Sequence, residues 1–351
     1  MAIFQKRIRG SSLVLVDCYG RSGQTSISAF LTNISNGMRM RLQKLTLSLA
    51  AFGLLAACST APTGGVDSKP ADSGIFFDDF NYANMADFAG GGWLVRDKFG
   101  LPGIATAHWG AGAVSLVDDP DHAGNRMVRL TASTDGTIDG TLQGQICHQR
   151  KYLEGTYATR LYLSDVPMRG PDGDTLVQSF YVVSPLKHAY DPKFSEIDWE
   201  YLPNGGWGDA TTRLYSTSWQ TVSLDPWDAH NHNHEVKRPL GGWHILLMQV
   251  SDGKSRFFLD GVQVDESGGR NYPVVPMSIN FNNWFIAGGF VPGTKEQRAY
   301  NEDIDWVFHA KNRVLSPAEV DAFVANARKG GSKQVDSVPA MNPALASTCD
   351  F

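Results

Sequence analysis

Between Phe194 and Leu202 three acids, Glu196, Asp198 and Glu200, alternate with Ile197, Trp199 and Tyr201. A side-chain period of two puts the acids on one face of a strand and the apolar residues on the other. The apolar face must meet a core, which makes Trp199 structural. The acidic face carries three like charges with successive Cα atoms about 7 Å apart, a repulsion that a sheet selected only for stability avoids. It is either a solvated strand face or a set of carboxyl groups held together for acid–base chemistry. In the second case mutual repulsion keeps a proton on one group while another is an anion.

A second group with chemical potential is His230, His232 and His234. Three imidazoles on one face could hold a metal, but Pro226 and the polar surroundings predict a loop, where they line a rim or are simply solvated.

The elements that must position these residues are short strands. Seven β-branched and aromatic runs (127–132, 155–163, 175–183, 196–202, 243–250, 255–259 and 303–309) are separated by Gly, Pro, Asp and Asn clusters, the signature of an antiparallel sandwich. One helix is clear. Ser316-Pro317-Ala318-Glu319 is a capping box with Pro at the first helical position; Val320, Phe323, Val324 and Ala327 follow at helical spacing, and Gly330-Gly331 ends the run. It is expected on the outside of the sandwich. The chain has 351 residues, 42% hydrophobic and 19% charged, with 36 Gly, which excludes a disordered, collagen-like or coiled-coil protein.

Of 31 Lys/Arg, seven fall in residues 1–57 against a single acid, Asp17, which leaves 24 Lys/Arg and 35 Asp/Glu beyond. Such a surface repels phosphate backbones, so nucleic acid is not an expected partner. Met40 to Lys44 and the apolar run Leu45 to Ala57 read as an export signal, too short to span a bilayer as a mature helix. Its end, Leu55-Ala56-Ala57-Cys58, resembles the bacterial lipobox. The expectation is a signal peptide over 38–57, lipidation of Cys58 and a protein held on the cell envelope, with Ser59 favouring outer-membrane sorting; an ordinary signal peptide with a chance Cys is the alternative. Residues 1–37 read as an upstream extension ahead of a start at Met38 or Met40, and residues 58–74 as a flexible tether. Cys147 and Cys349, in an oxidising compartment, either pair or remain two buried thiols. The tail over 331–351 reads as loosely ordered.

Glu-x-Asp-x-Glu on one strand of such a sandwich resembles the catalytic signature of glycoside hydrolase family 16, the β-glucanases with a concanavalin A-like jelly roll. Other segments are similar in order: Gly155 to Leu161, Trp243-His244 through Phe258-Leu259-Asp260-Gly261, Pro276-Met277 to Trp284, and Ile304-Asp305-Trp306-Val307. The likeness covers about 75 to 310. It implies an all-β fold of two antiparallel sheets with an open concave cleft and one short C-terminal helix, a catalytic domain over 75–330, and an endo-acting retaining hydrolase or transglycosylase of β-linked polysaccharide, here a β-glucan. A carbohydrate-binding lipoprotein on the same fold is the rival.

Carried over by position, Glu196 matches the nucleophile, Glu200 the general acid/base, and Asp198 the carboxylate that orients and tunes the nucleophile. The strand lacks the extra residue before the second Glu found in members that act on 1,3-glucans or agar, and resembles the regular form of mixed-linkage glucanases and xyloglucan-modifying enzymes. The loop Pro203 to Gly208 matches neither subgroup well. Among nine Trp, Trp207 and Trp284 are the candidates for stacking on sugar rings. The resemblance implies no required cofactor. It admits a structural calcium at Asp305, which could equally be a buried hydrogen-bonded residue. The enzyme is expected to act as a monomer.

Overall fold

The structure is a computed structural model that describes residues 73–347 and Cys349. The upstream extension, the signal peptide, Cys58 and all but the last two residues of the tether lie outside the described residues. In chain order the strands are β1 (Gly74–Asp78), β2 (Leu94–Val95), β3 (His108–Trp109), β4 (Val114–Asp118), β5 (Arg126–Thr134), β6 (Leu142–Cys147), β7 (Gly155–Leu163), β8 (Leu176–Val183) and β9 (Glu196–Leu202). There follow β10 (Arg213–Leu224), β11 (Trp227–Val236), β12 (Gly242–Ser251), β13 (Lys254–Leu259), β14 (Val262–Gly268), β15 (Ser278–Phe285), β16 (Arg298–Lys311) and β17 (Gln334–Asp336). The helices are α1 (Met85–Gly90) and α2 (Pro317–Lys329).

Two antiparallel sheets face each other. The concave sheet runs β2-β6-β15-β8-β9-β10-β11. The outer sheet runs β17-β1-β16-β7-β12-β13-β14, with β5 and β4 continuing it beside the first half of β16. Their inner faces close over a core in which Phe180, Ile197, Trp199, Tyr201 and Phe281 of one sheet meet Tyr157, Leu161, Met248, Phe257 and Val307 of the other. Trp199 is fully buried, edge-on to Phe257 at 5.3 Å. The parity read from the acidic stretch therefore holds: its apolar face is core. The β13–β14 hairpin turns on Asp260-Gly261, both at positive φ (49° and 81°), as a tight two-residue turn requires.

Helix α2 starts where the capping box places it. The Ser316 hydroxyl accepts from the Glu319 amide at 3.3 Å, and the Ser316 amide donates to the Glu319 carboxylate at 2.8 Å. Val320 and Val324 are buried on the outer face of the outer sheet, with Phe77, Trp306 and Phe308. The tail departs from expectation. Residues 334–336 pair with β1, Val338 is buried, and buried Lys151 grips Asp336 at 2.6 Å and the Val338 carbonyl at 3.0 Å. Cys147 and Cys349 form a disulfide. A charged residue buried against a tail carboxylate and a covalent bond together order a segment whose polar composition gave no such signal.

Candidate active site

Strand β9 lies between β8 and β10, and its acids project from the concave face. The register fixes their neighbours: Glu196 stands beside Val183 and Trp219, Asp198 beside Tyr181 and Thr217, and Glu200 beside Ser179 and Tyr215. Next to them lies a polar floor. The Tyr181 hydroxyl accepts from Gln145 Nε2 at 2.9 Å and Asn282 Nδ2 at 3.1 Å, while the Ser179 hydroxyl donates to Asn282 Oδ1.

Glu196 and Asp198 are buried and Glu200 is half-buried. Burial pushes all three carboxyl groups up, and repulsion adds to it: Glu196 stands well above the usual carboxylate range through burial and then the Asp198 and Glu200 charges, and Glu200 through burial and then Asp198. Asp198 is pushed up to about 7 by burial, held back by hydrogen bonds from Trp219 and Thr217. Trp219 Nε1 donates to Asp198 Oδ2 at 2.8 Å, and Asp198 Oδ1 is buried with no hydrogen-bond partner. The indole donor of Trp219 acts directly on the Asp198 carboxylate and favours its anion against the burial that disfavours it.

The two tryptophans chosen from sequence have different fates. Trp207 is 59% exposed, with its ring 6.3 Å from that of Tyr215, the cross-strand neighbour of Glu200. Gly206 and Asp209 exchange backbone hydrogen bonds at 2.9 and 3.1 Å, so Trp207 and Gly208 form the tip of a tight turn with φ of 51° and 91°. A tryptophan at positive φ is strained where glycine or asparagine would be relaxed, and such strain is characteristic of functional sites. Trp284 is corrected: it is 5% exposed and packed against Trp109, Val177, Leu202 and Ile286. The backbone at Gly103 passes so close that a Cβ there would sit 2.5 Å from the indole. A loop ahead of β3 roofs this ring, and a roofed ring cannot stack on a sugar.

Sequence reasoning missed Trp219 and Trp227. The stretch read as a loop is strand β11, paired with β10 through a turn at Asp225-Pro226. The indoles meet edge-on at 6.3 Å, and Trp227 is 50% exposed. The alternation of Tyr215, Thr217 and Trp219 was the available signal, since it is the parity of the acids one strand on.

The three histidines are exposed, as the solvated reading has it, but on a strand rather than a loop. On β11 His232 and His234 stand beside Ser218 and Ser216, on the face opposite the acids; His232 contacts Asp265 at 3.0 Å and His230 contacts Asp228 at 3.3 Å. Asp305 is fully buried, its oxygens held by Arg160 at 2.7 Å, Arg328 at 2.6 Å and Asn125 at 2.8 Å. Two guanidinium groups already neutralise that carboxylate, so it is a buried ion-paired residue and the calcium reading does not fit. Among the described residues no group of three or more His, Cys, Asp or Glu could hold a metal ion.

No family model and no curated protein matches the chain. Solved structures do match. The β-glucanase of Bacillus licheniformis superposes with a TM-score of 0.51 at 19% identity, over 68% of this chain and 99% of that one. A glycoside hydrolase family 16 protein of Bacteroides ovatus, solved with a G4G4G3G product, gives 0.50 at 18% identity, over 66% and 98%. The chain has the fold of the family 16 β-glucanases.

Proposed function

We propose that the protein is an endo-acting, retaining hydrolase or transglycosylase of a β-linked polysaccharide, a β-glucan, acting as a monomer held on the cell envelope through lipidated Cys58. One observation carries the chemistry: Glu196 and Glu200 flank Asp198 on the concave face of a central strand, in a setting that raises all three pKa values. A retaining site needs its two carboxyl groups about 5–5.5 Å apart. Cα atoms four residues apart on a strand lie about 13 Å apart, so a retaining mechanism requires both glutamate side chains to lean inward over Asp198.

Glu196, as the anion, attacks the anomeric carbon while Glu200 gives its proton to the leaving glycosidic oxygen. Asp198, with one oxygen on Trp219 and the other without a hydrogen-bond partner, is the carboxylate that orients and tunes Glu196, and its charge helps to keep the proton on Glu200. Once the glycosyl ester forms, Glu196 is neutral, the pKa of Glu200 falls, and Glu200 deprotonates the water or sugar hydroxyl that releases the product.

The test is a screen of glucans, galactans and xyloglucan with wild type, Glu196→Gln and Glu200→Gln. Turnover by wild type alone, with oligosaccharide affinity retained in both variants, is expected. No product from wild type on any of these polysaccharides would overturn the glycosidase reading and favour the binding module instead. For the anchor, fatty-acid labelling should mark wild type and not Cys58→Ala.

A further inference from the structure

We propose that the disulfide-held C-terminal tail is the end wall of the cleft on the β6 side, so that the Cys147–Cys349 bond sets how much of a sugar chain the site holds there. This rests on the glycosidase reading and deepens it.

The register places the wall. Asp198 stands beside Tyr181, Tyr181 beside Asn280, Asn280 beside Cys147 and Cys147 beside Leu94, so these side chains share one row and one face across five strands. At about 4.8 Å per strand, Cys147 is about 14 Å from Asp198 along that row. Glu196 and Glu200 must flank one glycosidic bond from two sides along β9, so the sugar chain crosses the strands and runs along this row. On the β6 side it meets Cys349.

The row is covered at Asn280 and at the disulfide and opens again one strand beyond it, at Leu94, which is 52% exposed. Asn280 and Cys147 are fully buried, and the Cys349 sulfur reaches the Leu94 carbonyl at 4.0 Å. On the other side of β9, Asn233 is exposed and Trp227 is 50% exposed.

The tail is built as a strap. Its root is fixed by the β1–β17 ladder, by Lys151 and by buried Val338; Leu345 then bridges to Arg150, and Cys349 closes the far end. Between these points Leu345, Ala346 and Ser347 stand over Gly92, Leu94 and His148 around a cavity of about 580 Å³. A strap that spans a cavity can be released without emptying the core.

The test compares the full chain with Cys349→Ser and with a chain ending at Ala340, which keeps β17 and Val338 and so keeps the root of the tail. End-labelled β-glucan oligosaccharides of rising length are the substrates, and the readouts are product lengths and the ratio of kcat/KM between long and short substrates. In both variants the ratio should rise by about tenfold, the gain of one further well-stacked sugar, and products on one side of the cut should lengthen. An unchanged ratio and unchanged product lengths in both variants would overturn the proposal. If wild type cleaves no β-glucan, the glycosidase reading fails separately. The wall is then judged by oligosaccharide affinity against chain length: variants that gain affinity for long chains support it, and superimposable curves sink it.

Discussion

Trp219 and Asp198 are joined across the β9–β10 ladder by a 2.8 Å hydrogen bond from the indole to the central carboxylate of the acidic row. In the proposed mechanism Trp219 positions Asp198 and favours an anion that burial disfavours. Trp219→Phe keeps an aromatic body and removes the donor. Loss of a hydrogen bond to a charged group should cost about tenfold in kcat/KM. It should also raise the Asp198 pKa further, moving the acid limb of the pH–rate profile to higher pH. A drop in rate with an unmoved acid limb would mean that Trp219 acts only by packing.

Asp198 is the second cause, after burial, of the raised pKa of Glu200. The proposed mechanism needs one glutamate ionised and the other protonated, so kcat/KM should be bell-shaped, with limbs that belong to the coupled carboxyl groups rather than to single residues. Asp198→Asn removes a charge that holds the proton on Glu200, and the alkaline limb should shift to lower pH while the maximum rate falls. An alkaline limb that stays in place would remove Asp198 from the coupling.

Trp207 combines positive φ with a largely exposed ring, which points to a residue kept for contact rather than for stability. Trp207→Asn should relieve backbone strain and raise unfolding stability by about 1 kcal/mol. The same change should raise KM for oligosaccharides with little effect on kcat, because sugar stacking is made in ground and transition states alike. A variant with unchanged KM would show that the ring lies off the substrate path.

The strand parity that put the acids on one face, and the capping box of α2, were legible because each is a local rule over fewer than a dozen residues. Trp284 was not, since its strand parity turns it toward the concave face and only a separate loop at Gly103 buries it. Strand β11 was hidden for a related reason: its Asp, His and Asn residues have no core to face, and it is a strand because β10 supplies the ladder. Of the two contacts that order the tail, the Cys147–Cys349 pairing was one of two readings open in the sequence, whereas Lys151, 185 residues ahead of its partner Asp336, gave no signal. Contacts of that range leave no trace in local composition.

Two histidines beneath the outer sheet link the fold to pH. His148 is held neutral, pushed down to about 4 chiefly by burial: its Nδ1 accepts from the Tyr152 hydroxyl at 2.7 Å and its Nε2 donates to the Gly91 carbonyl at 3.1 Å. His309, fully buried 4.2 Å from the Tyr157 ring and 5.1 Å from that of Tyr152, is pushed down to about 3 by burial and then by Lys151 and Lys311. In the unfolded chain both titrate near 6.5, so below that pH the unfolded state binds more protons than the folded one. Stability should therefore fall as pH drops from about 6.5 toward 4 and 3, by up to about 1.4 kcal/mol per pH unit for each imidazole. His309→Phe keeps an aromatic ring beside Tyr157 and removes one of the two titrations. Its unfolding free energy, measured by denaturant titration between pH 6.5 and 4.5, should decline with about half the contribution from these sites. A decline as steep as that of wild type would show that His309 is not held neutral by the fold.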